Sequence, residues 1–471
     1  MTPRDVAGIL ASDAVFLVVG YALLFGLGLV RSWVRALRFV GLALFAGWAV
    51  VGVLASLLLV AGGSLALWEV LALAAAATLA GAAPARWLPA ARPVLVMRER
   101  GLPLAAAVVG AAVVVVYLLD LLRQTTKEVT TAWDANSFWL PKAAAIVVQN
   151  GIHTGPATIE GMFNPDYPIF APAQEAISWR FTGNLHVEAL PTQHWIVAVA
   201  FLAAAAALLA DRVRPAILWP GLALVVLMPA FEGLIGSSLG DEPLAMLLGL
   251  GALAGGVWLG SRDPRLLVVC GALLTAAAWT KVEGLWGALL VVVMLAVATR
   301  LRPWRVLLPL LLAPIVFIVP WRVWTRDHHI VSSGAVPYAN LAHPSLLWAA
   351  RGRLWTALAD TPGYLVDPGA WLLAVPVAVL LAVLIFRVRA DLAVYTWGLV
   401  VLAFLGNVAV YWVSAAPIQN YIETSAPRVV SSNAVTCALL LPLLFSVAAA
   451  PSPEAQPATP GERRRQAAPA R

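Results

Sequence analysis

The chain has 471 residues, of which 61% are hydrophobic and 12% charged, and its mean hydropathy is +0.86. A soluble globular domain carries roughly 25% charged residues, so this composition excludes a water-soluble fold. Disordered and disulfide-rich classes are excluded too, because apolar blocks of about 16 to 22 residues recur from residue 8 to residue 450. The net charge of +7 forms no large basic run before the last ten residues, so no nucleic-acid partner is expected.

The apolar blocks predict an all-α polytopic membrane protein with about thirteen transmembrane helices. Met1 to Asp13 has no clear small-residue cleavage site, so the first block is expected to be a retained helix. Cys270 and Cys437 lie inside apolar blocks and are expected to be buried thiols. The predicted spans are residues 9–30, 39–61, 65–83, 102–122, 192–210, 215–231, 244–260, 266–284, 285–299, 306–320, 371–386, 392–414 and 433–450.

The arginines predict the orientation of these spans, because short loops rich in Lys and Arg stay on the cytoplasmic side. With thirteen spans, the arginine-rich connections share one side and most acidic residues share the other. The N-terminus is then outside, and the C-terminus is cytoplasmic with a disordered Pro/Ala-rich tail at 451–471. The arginines that set this orientation are Arg31, Arg35, Arg38, Arg86, Arg92, Arg98, Arg100, Arg212, Arg214, Arg262, Arg265, Arg300, Arg302, Arg305, Arg387 and Arg389.

Two outward segments, 123–190 and 321–370, are far longer than the other connections. Both are rich in Trp, Pro, Tyr and His, which favours ordered structure over a flexible linker. Long loops in compact proteins are usually functional or disordered. The functional site is therefore expected at the outer face.

The first outer segment contains Trp133 and Asp134, followed by a helix expected to begin near Leu140 and to end at Asn150. Asp134 has two interpretations, a helix N-cap or a catalytic carboxylate. Pro141 favours the second, because proline prefers the first helical turn and so places Asp134 upstream of the helix.

Further along, Asp166 and Tyr167 lie in a segment with three prolines, which predicts an extended or turning loop. We expect Tyr167 and the prolines to form a pocket wall, and Asp166 is interpreted first as part of a rigid loop. The alternative for Asp166 is a ligand-binding carboxylate.

Asp241 and Glu242 precede an apolar helix, where they match a helix start and also suit a sugar hydroxyl, a metal or a proton.

Lys281 and Glu283 stand at the edge of the eighth block. Residues two apart do not face each other on a helix, so each is expected to contact something else. Arg428 has a planar fork suited to a phosphate, and its alternative partner is a lipid headgroup.

In their order along the chain these segments resemble bacterial GT-C glycosyltransferases, relatives of the dolichyl-phosphate-mannose protein mannosyltransferases and the lipid A aminoarabinose transferases. The likeness rests on Trp-Asp before Phe-Trp-x-x-Lys-Ala, Pro-Asp-Tyr-Pro, Asp-Glu, Thr-Lys-x-Glu-Gly and a late Thr-Ser-x-x-Arg. It makes residues 102–450 a GT-C-like core and leaves 1–101 as a three-span addition.

The resemblance implies an enzyme of the bacterial plasma membrane that moves a sugar from a polyprenyl-phosphate donor to a glycan, lipid or protein acceptor outside the cytoplasm. A single displacement would invert the anomeric centre. A divalent cation, magnesium or manganese, stays open at Asp134, Asp241 or Glu242, because some members use one and others do not. The expected site residues are Asp134 as base, Asp241, Glu242 and Asp166 as further acidic groups, Arg428, Lys281 and Lys142 around the donor phosphate, and Trp133, Tyr167 and Glu283 in the pocket.

The alternative function is a secondary transporter or a lipid-linked sugar flippase. Such proteins tend to place charges at the bilayer midplane and to show an internal repeat. Here no repeat is evident, and most ionisable residues cluster at the outer edge, with Glu69 and Asp120 as exceptions. The six histidines show no zinc-ligand spacing, so no structural zinc is expected.

Overall fold

The computed structural model describes residues 1–91, 99–125, 132–154, 158–330 and 338–450, and the regular secondary structure of this part is helical. Arg92, Arg98 and the tail at 451–471 lie outside the described residues. The α-helices are α1 (Pro3–Gly26), α2 (Trp33–Arg38), α3 (Val40–Val60), α4 (Leu67–Ala82), α5 (Leu102–Thr125), α6 (Leu140–Gln149), α7 (Phe170–Thr182), α8 (Leu190–Leu209), α9 (Pro215–Leu227), α10 (Pro229–Leu234), α11 (Asp241–Ser261), α12 (Pro264–Ala278), α13 (Val282–Ala298), α14 (Trp304–Asp327), α15 (Pro344–Ala349), α16 (Arg351–Leu365), α17 (Pro368–Trp371), α18 (Ala374–Ile385), α19 (Ala390–Val413), α20 (Ile418–Val429) and α21 (Ser431–Ala448).

The described helices confirm an all-α polytopic membrane protein. By length and composition, 9 of them could cross a bilayer, or 10 if the bent pair Arg351–Trp371 and Ala374–Ile385 forms one span. Three further apolar helices, α9, α12 and α13, are shorter. Each predicted span overlaps an apolar helix, but the count of thirteen stays a prediction.

The boundary that the sequence suggested between the eighth and ninth spans, at 284/285, is wrong. Helix α12 ends at Ala278, and α13 begins at Val282. Lys281 is therefore the residue that precedes α13, and Glu283 lies in its first turn. The break places Lys281 outside both helices and Glu283 at the helix start, and ionisable groups are less costly there than in the middle of an apolar span.

The two long segments are largely helical. Residues 123–190 hold α6 and α7, and residues 321–370 hold the end of α14 together with α15, α16 and most of α17. Helix α6 spans Leu140–Gln149 with Pro141 in its first turn, and it ends as expected at Asn150, which is left-handed at φ 54°. Helical structure does not start at Leu140, however, because the π-helical turn Ala135–Trp139 runs directly into α6 and Asp134 also has helical φ and ψ. The expectation that Asp134 lies upstream of the helix is therefore wrong. Helix α7 is buried along nearly its whole length.

The predicted N-terminal addition packs closely against the remainder of the chain. Helix α1 contacts α7, and α3 contacts α8, α12 and α14. A Cβ atom at Gly20 would lie 1.6 Å from the carbonyl oxygen of Ala43, so only glycine allows α1 and α3 to approach this closely. The hydrophobic core is continuous from Phe16 to Leu444, and a boundary at residue 101 stays a prediction.

Arginine-rich connections from distant parts of the sequence meet at one end of the bundle. Arg38 pairs with Asp211, Arg214 pairs with Glu99 at 2.8 Å, and Arg262 lies 3.8 Å from Asp391. Helix α11 starts far from this end and runs 21 residues to reach it, a rise of about 30 Å. The residues at the start of α11 therefore lie across the bundle from the arginines.

Candidate functional site

Asp134 and Arg428, 294 positions apart in sequence, form an ion pair. Asp134 precedes a π-helical turn, Ala135–Trp139, and its side chain makes no capping hydrogen bond. Instead, its Oδ2 accepts a hydrogen bond from Nη1 of Arg428, which lies in the last turn of α20. The capping interpretation of Asp134 is therefore wrong, and its carboxylate pairs with Arg428 instead.

Asp241 and Lys281 form a second, more deeply buried ion pair. Nζ of Lys281 donates to Oδ1 of Asp241 at 2.7 Å. Lys281 does not pair with Glu283, as the helical spacing indicated, and its ammonium also lies 5.9 Å from the centre of the Tyr167 ring. Asp241 interacts electrostatically with Arg428 as well, so the two ion pairs form one charged cluster.

A glycine allows this cluster to assemble. A Cβ atom at Gly240 would lie 2.6 Å from the indole of Trp139 and 3.2 Å from Cγ of Lys281. Trp139 and the Lys281 stem therefore pack directly on the backbone just before α11. Asp241 and Glu242 occupy the first turn of that helix, where the helix dipole favours negative charge, as the start signal predicted.

Three members of the charged cluster, Asp241, Lys281 and Arg428, line one end of a cavity of about 510 Å³. Asp134 does not line this cavity and is connected to it through Arg428. Asp241, Lys281, Glu283 and Arg428 line its polar end, together with Ser432 from the first turn of α21. The remainder of the wall is apolar and comes mainly from α13 and α19. One buried oxygen of Glu283, Oε2, has no hydrogen-bond partner among the described residues.

The apolar wall of this cavity reaches the surface of the protein. Trp286 and Val293 on α13 and Leu402 and Leu405 on α19 line the cavity, and all four are exposed. In a membrane protein, such exposed apolar side chains face lipid tails. The cavity is thus polar at one end, and exposed apolar side chains of α13 and α19 form part of its wall.

Lys142 and Trp133, two of the sequence-predicted residues, lie apart from the cavity. Lys142 is fully buried, and its Nζ donates to the carbonyl oxygen of Asn164 at 2.5 Å, so it is not placed to contact a donor phosphate. Burial lowers the pKa of Lys142 to about 7, against the attraction of Asp166. Trp133 is 63% exposed and packs on Phe163, not on the cavity.

Asp166 and Tyr167 take different positions, although they are neighbours. The carbonyl oxygen of Asp166 accepts a hydrogen bond from the indole of Trp321 at 3.0 Å, which fits a rigid loop. Tyr167 packs between Trp139 and Lys281 and so supports the polar end from behind. Neither residue lines the cavity itself.

Glu242 faces away from Asp241 and joins residues that the sequence did not single out. Its Oε2 accepts a hydrogen bond from Nδ1 of His194 at 2.8 Å, and the other ring nitrogen of His194 lies 3.9 Å from Glu175. The sequence pattern that could have identified these residues is a pair of adjacent polar residues in otherwise apolar surroundings. It occurs twice, at Gln174 with Glu175 and at Gln193 with His194.

Searches of the chain against family models, curated proteins and solved structures find no match in any of the three.

Proposed function

We propose that the protein is an inverting glycosyltransferase that takes a sugar from a polyprenyl-phosphate donor and transfers it to an acceptor hydroxyl. The observation that carries this proposal is the single cavity in which Lys281 and Arg428 stand at one end of an apolar, lipid-accessible wall. A polyprenyl phosphate has the same two parts, an anionic headgroup and a long apolar tail. The GT-C resemblance of the sequence agrees with this fit.

The apolar wall suits the tail of the donor. The tail would lie between α13 and α19, where Val293, Leu402 and Leu405 present apolar surface that is continuous with the bilayer. Burying such surface contributes about 25 cal/mol per Å². A water-soluble nucleotide sugar would gain nothing from this wall.

The charged end suits the phosphate. Arg428 carries five N–H donors, and Asp134 engages one of its nitrogens; Lys281 carries three donors and uses one for Asp241. Donors therefore remain for phosphate oxygens, and Ser432 adds a hydroxyl. As the bond from the anomeric carbon to the phosphate oxygen breaks, its electron pair stays on the phosphate, where these cations stabilise the added charge.

Asp134 is the proposed base. A hydroxyl is a poor nucleophile at neutral pH, so the acceptor needs a carboxylate that takes its proton as the new bond to the anomeric carbon forms. Binding of the donor phosphate to Arg428 would weaken the Asp134 ion pair and make the carboxylate a better proton acceptor. Arg428 thus links donor binding to activation of the acceptor.

We further propose that this chemistry takes place outside the cytoplasm, at the bacterial plasma membrane. The arginines gather across the bundle from the cavity, and positively charged connections stay on the cytoplasmic side. The N-terminus would then be outside and the C-terminus cytoplasmic. The two long segments at 123–190 and 321–370 would be extracytoplasmic, close to the acceptor.

Transfer from radiolabelled polyprenyl-phosphate sugars in membranes tests the proposal. We expect Asp134→Asn to lower transfer by about 10²- to 10⁴-fold, the usual contribution of general base catalysis. The matched control is Asp327→Asn, which changes an exposed carboxylate at the end of α14. Equal transfer by Asp134→Asn and wild type would remove Asp134 as the base. Absence of transfer from every donor, with movement of the lipid-linked sugar across the membrane, would favour the flippase.

A further inference from the structure

A second polar cluster lies behind the donor cavity, on the opposite side of the first turn of α11. Glu242 and Glu175 are 1% and 6% exposed, and His194 lies between them. Nδ1 of His194 contacts Glu242, and Nε2 lies 3.3 Å from the hydroxyl of Ser238. Both ring nitrogens are therefore engaged within the cluster.

The cluster surrounds a small cavity of about 30 Å³. Gln174 and Gln193 line it together with Glu175, His194 and Glu242. A water molecule needs roughly 10 to 15 Å³ of such space, so the cavity can hold one ion with at most one or two waters.

Four buried oxygens around this cavity lack a hydrogen-bond partner among the described residues. They are Oε1 of Gln174, Oε2 of Glu175, Oε1 of Gln193 and Oε1 of Glu242. The glutamine orientations are fixed by their amide nitrogens, since Gln174 donates to the carbonyl of Trp48 and Gln193 to the carboxylate of Asp13, each at 2.6 Å. The unpaired atoms at both glutamines are thus acceptors, and a buried unpaired acceptor costs about 1–3 kcal/mol.

The two carboxylates of the cluster have one basic partner in common. Within the described part of the chain, the recorded ion-pair partner of Glu175 and Glu242 is His194, and neither carboxylate pairs with a lysine or an arginine. Two buried carboxylates therefore share one imidazole, and a bound cation would add positive charge at the same place.

We propose that this cavity binds one hard divalent cation through the side-chain oxygens of Gln174, Glu175, Gln193 and Glu242. Calcium, magnesium and manganese prefer carboxylate and amide oxygens of this kind. No group of three His, Cys, Asp or Glu among the described residues is arranged to hold a metal, so the proposed site depends on its two amide oxygens as well as its two carboxylates. Zinc, which prefers imidazole and thiolate ligands, does not fit, because both nitrogens of His194 have other contacts.

The cation would join three helices at one point. Gln174 and Glu175 belong to α7, Gln193 to α8 and Glu242 to α11. Because Glu242 follows Asp241 directly, an ion here would also fix the turn that holds Lys281 in the donor cavity. Binding of this cation does not depend on sugar transfer. The cation proposal and the proposed function can therefore fail independently of each other.

The test uses the full-length protein in detergent, treated with EDTA and then titrated with calcium, magnesium or manganese chloride. We expect at least one ion to bind at one per chain by elemental analysis and to raise the Tm by about 5 °C at saturation. Glu175→Gln should lose both effects, whereas the control Glu188→Gln, at an exposed position next to α8, should keep them.

If Glu175→Gln does not fold, the metal content of the wild-type protein, measured by elemental analysis, still tests the proposal. Wild-type protein that binds none of the three ions, with an unchanged Tm, would overturn it and leave water in the cavity. Unchanged metal binding by a folded Glu175→Gln would overturn it as well. A Tm that rises on acidification but not with metal would assign the cavity to a proton instead.

Discussion

At the scale of single residues, the site depends on charges that hold each other in place. Asp134 orients Arg428, and Asp241 orients Lys281. Because these cations already have carboxylate partners, their side chains are positioned before any donor arrives, which reduces the entropy lost on binding. The donor phosphate then needs only to share the remaining N–H groups.

The planar fork of Arg428 is expected to matter beyond its charge. Arg428→Lys keeps the charge but cannot bind Asp134 and a phosphate with the same geometry. A lost charge-assisted hydrogen bond costs about 1.5–3 kcal/mol, so the KM for the donor should rise about 10- to 100-fold. Donor titration in the transfer assay measures this, with Arg326→Lys, an exposed arginine on α14, as the control. A donor KM equal to that of wild type would show that Arg428 does not bind the phosphate.

The sequence indicates which residues form this cluster more readily than it indicates where their side chains point. Asp134, Asp241, Lys281 and Arg428 stand out because ionisable residues near apolar spans are rare. Lys142 stands out for the same reason but points into the protein, towards the carbonyl of Asn164. Nothing in its local pattern separates these two outcomes, because burial depends on the loop at 158–169 that packs over it.

At the scale of helices, α11 carries the site on two of its faces. Consecutive residues of an α-helix point about 100° apart, so Asp241 reaches the donor cavity and Glu242 the second cluster. Helix α11 is buried almost all round, since every residue from Asp241 to Leu259 is buried. A helix without a polar face has no periodic pattern from which its rotation about its own axis can be predicted. From the sequence, Asp241 and Glu242 are therefore expected to act as one pair.

The turn before α11 offers a test at this scale. Gly240→Ala would push on Trp139 and the Lys281 stem, since its Cβ would lie 2.6 Å from the indole. We expect transfer to fall by at least about tenfold, because displacements near 1 Å can cost 10²-fold in rate. Gly233→Ala is the matched control, since a Cβ there meets nothing within 4 Å. Equal activity of the two variants would show that the packing at Gly240 does not position Lys281.

At the scale of the whole molecule, hydropathy predicts the membrane class, and charge predicts that the arginine-rich connections lie away from the site. The number of spans is harder to derive, because α9, α12 and α13 are too short to decide by length. The sequence also gives no indication of what the N-terminal helices contribute. Residue Asp13 of α1 orients Gln193, which ties the predicted addition to the cluster behind the donor cavity.

The central claim is that the cavity of α13 and α19 receives a lipid phosphate. The most direct measurement is a cryo-EM structure of the protein in lipid nanodiscs with a polyprenyl phosphate added. We expect phosphate density within hydrogen-bond distance of Arg428 and Lys281, with the tail along Val293 and Leu402. Phosphate density at another place on the protein, with this cavity filled by bulk lipid, would contradict it.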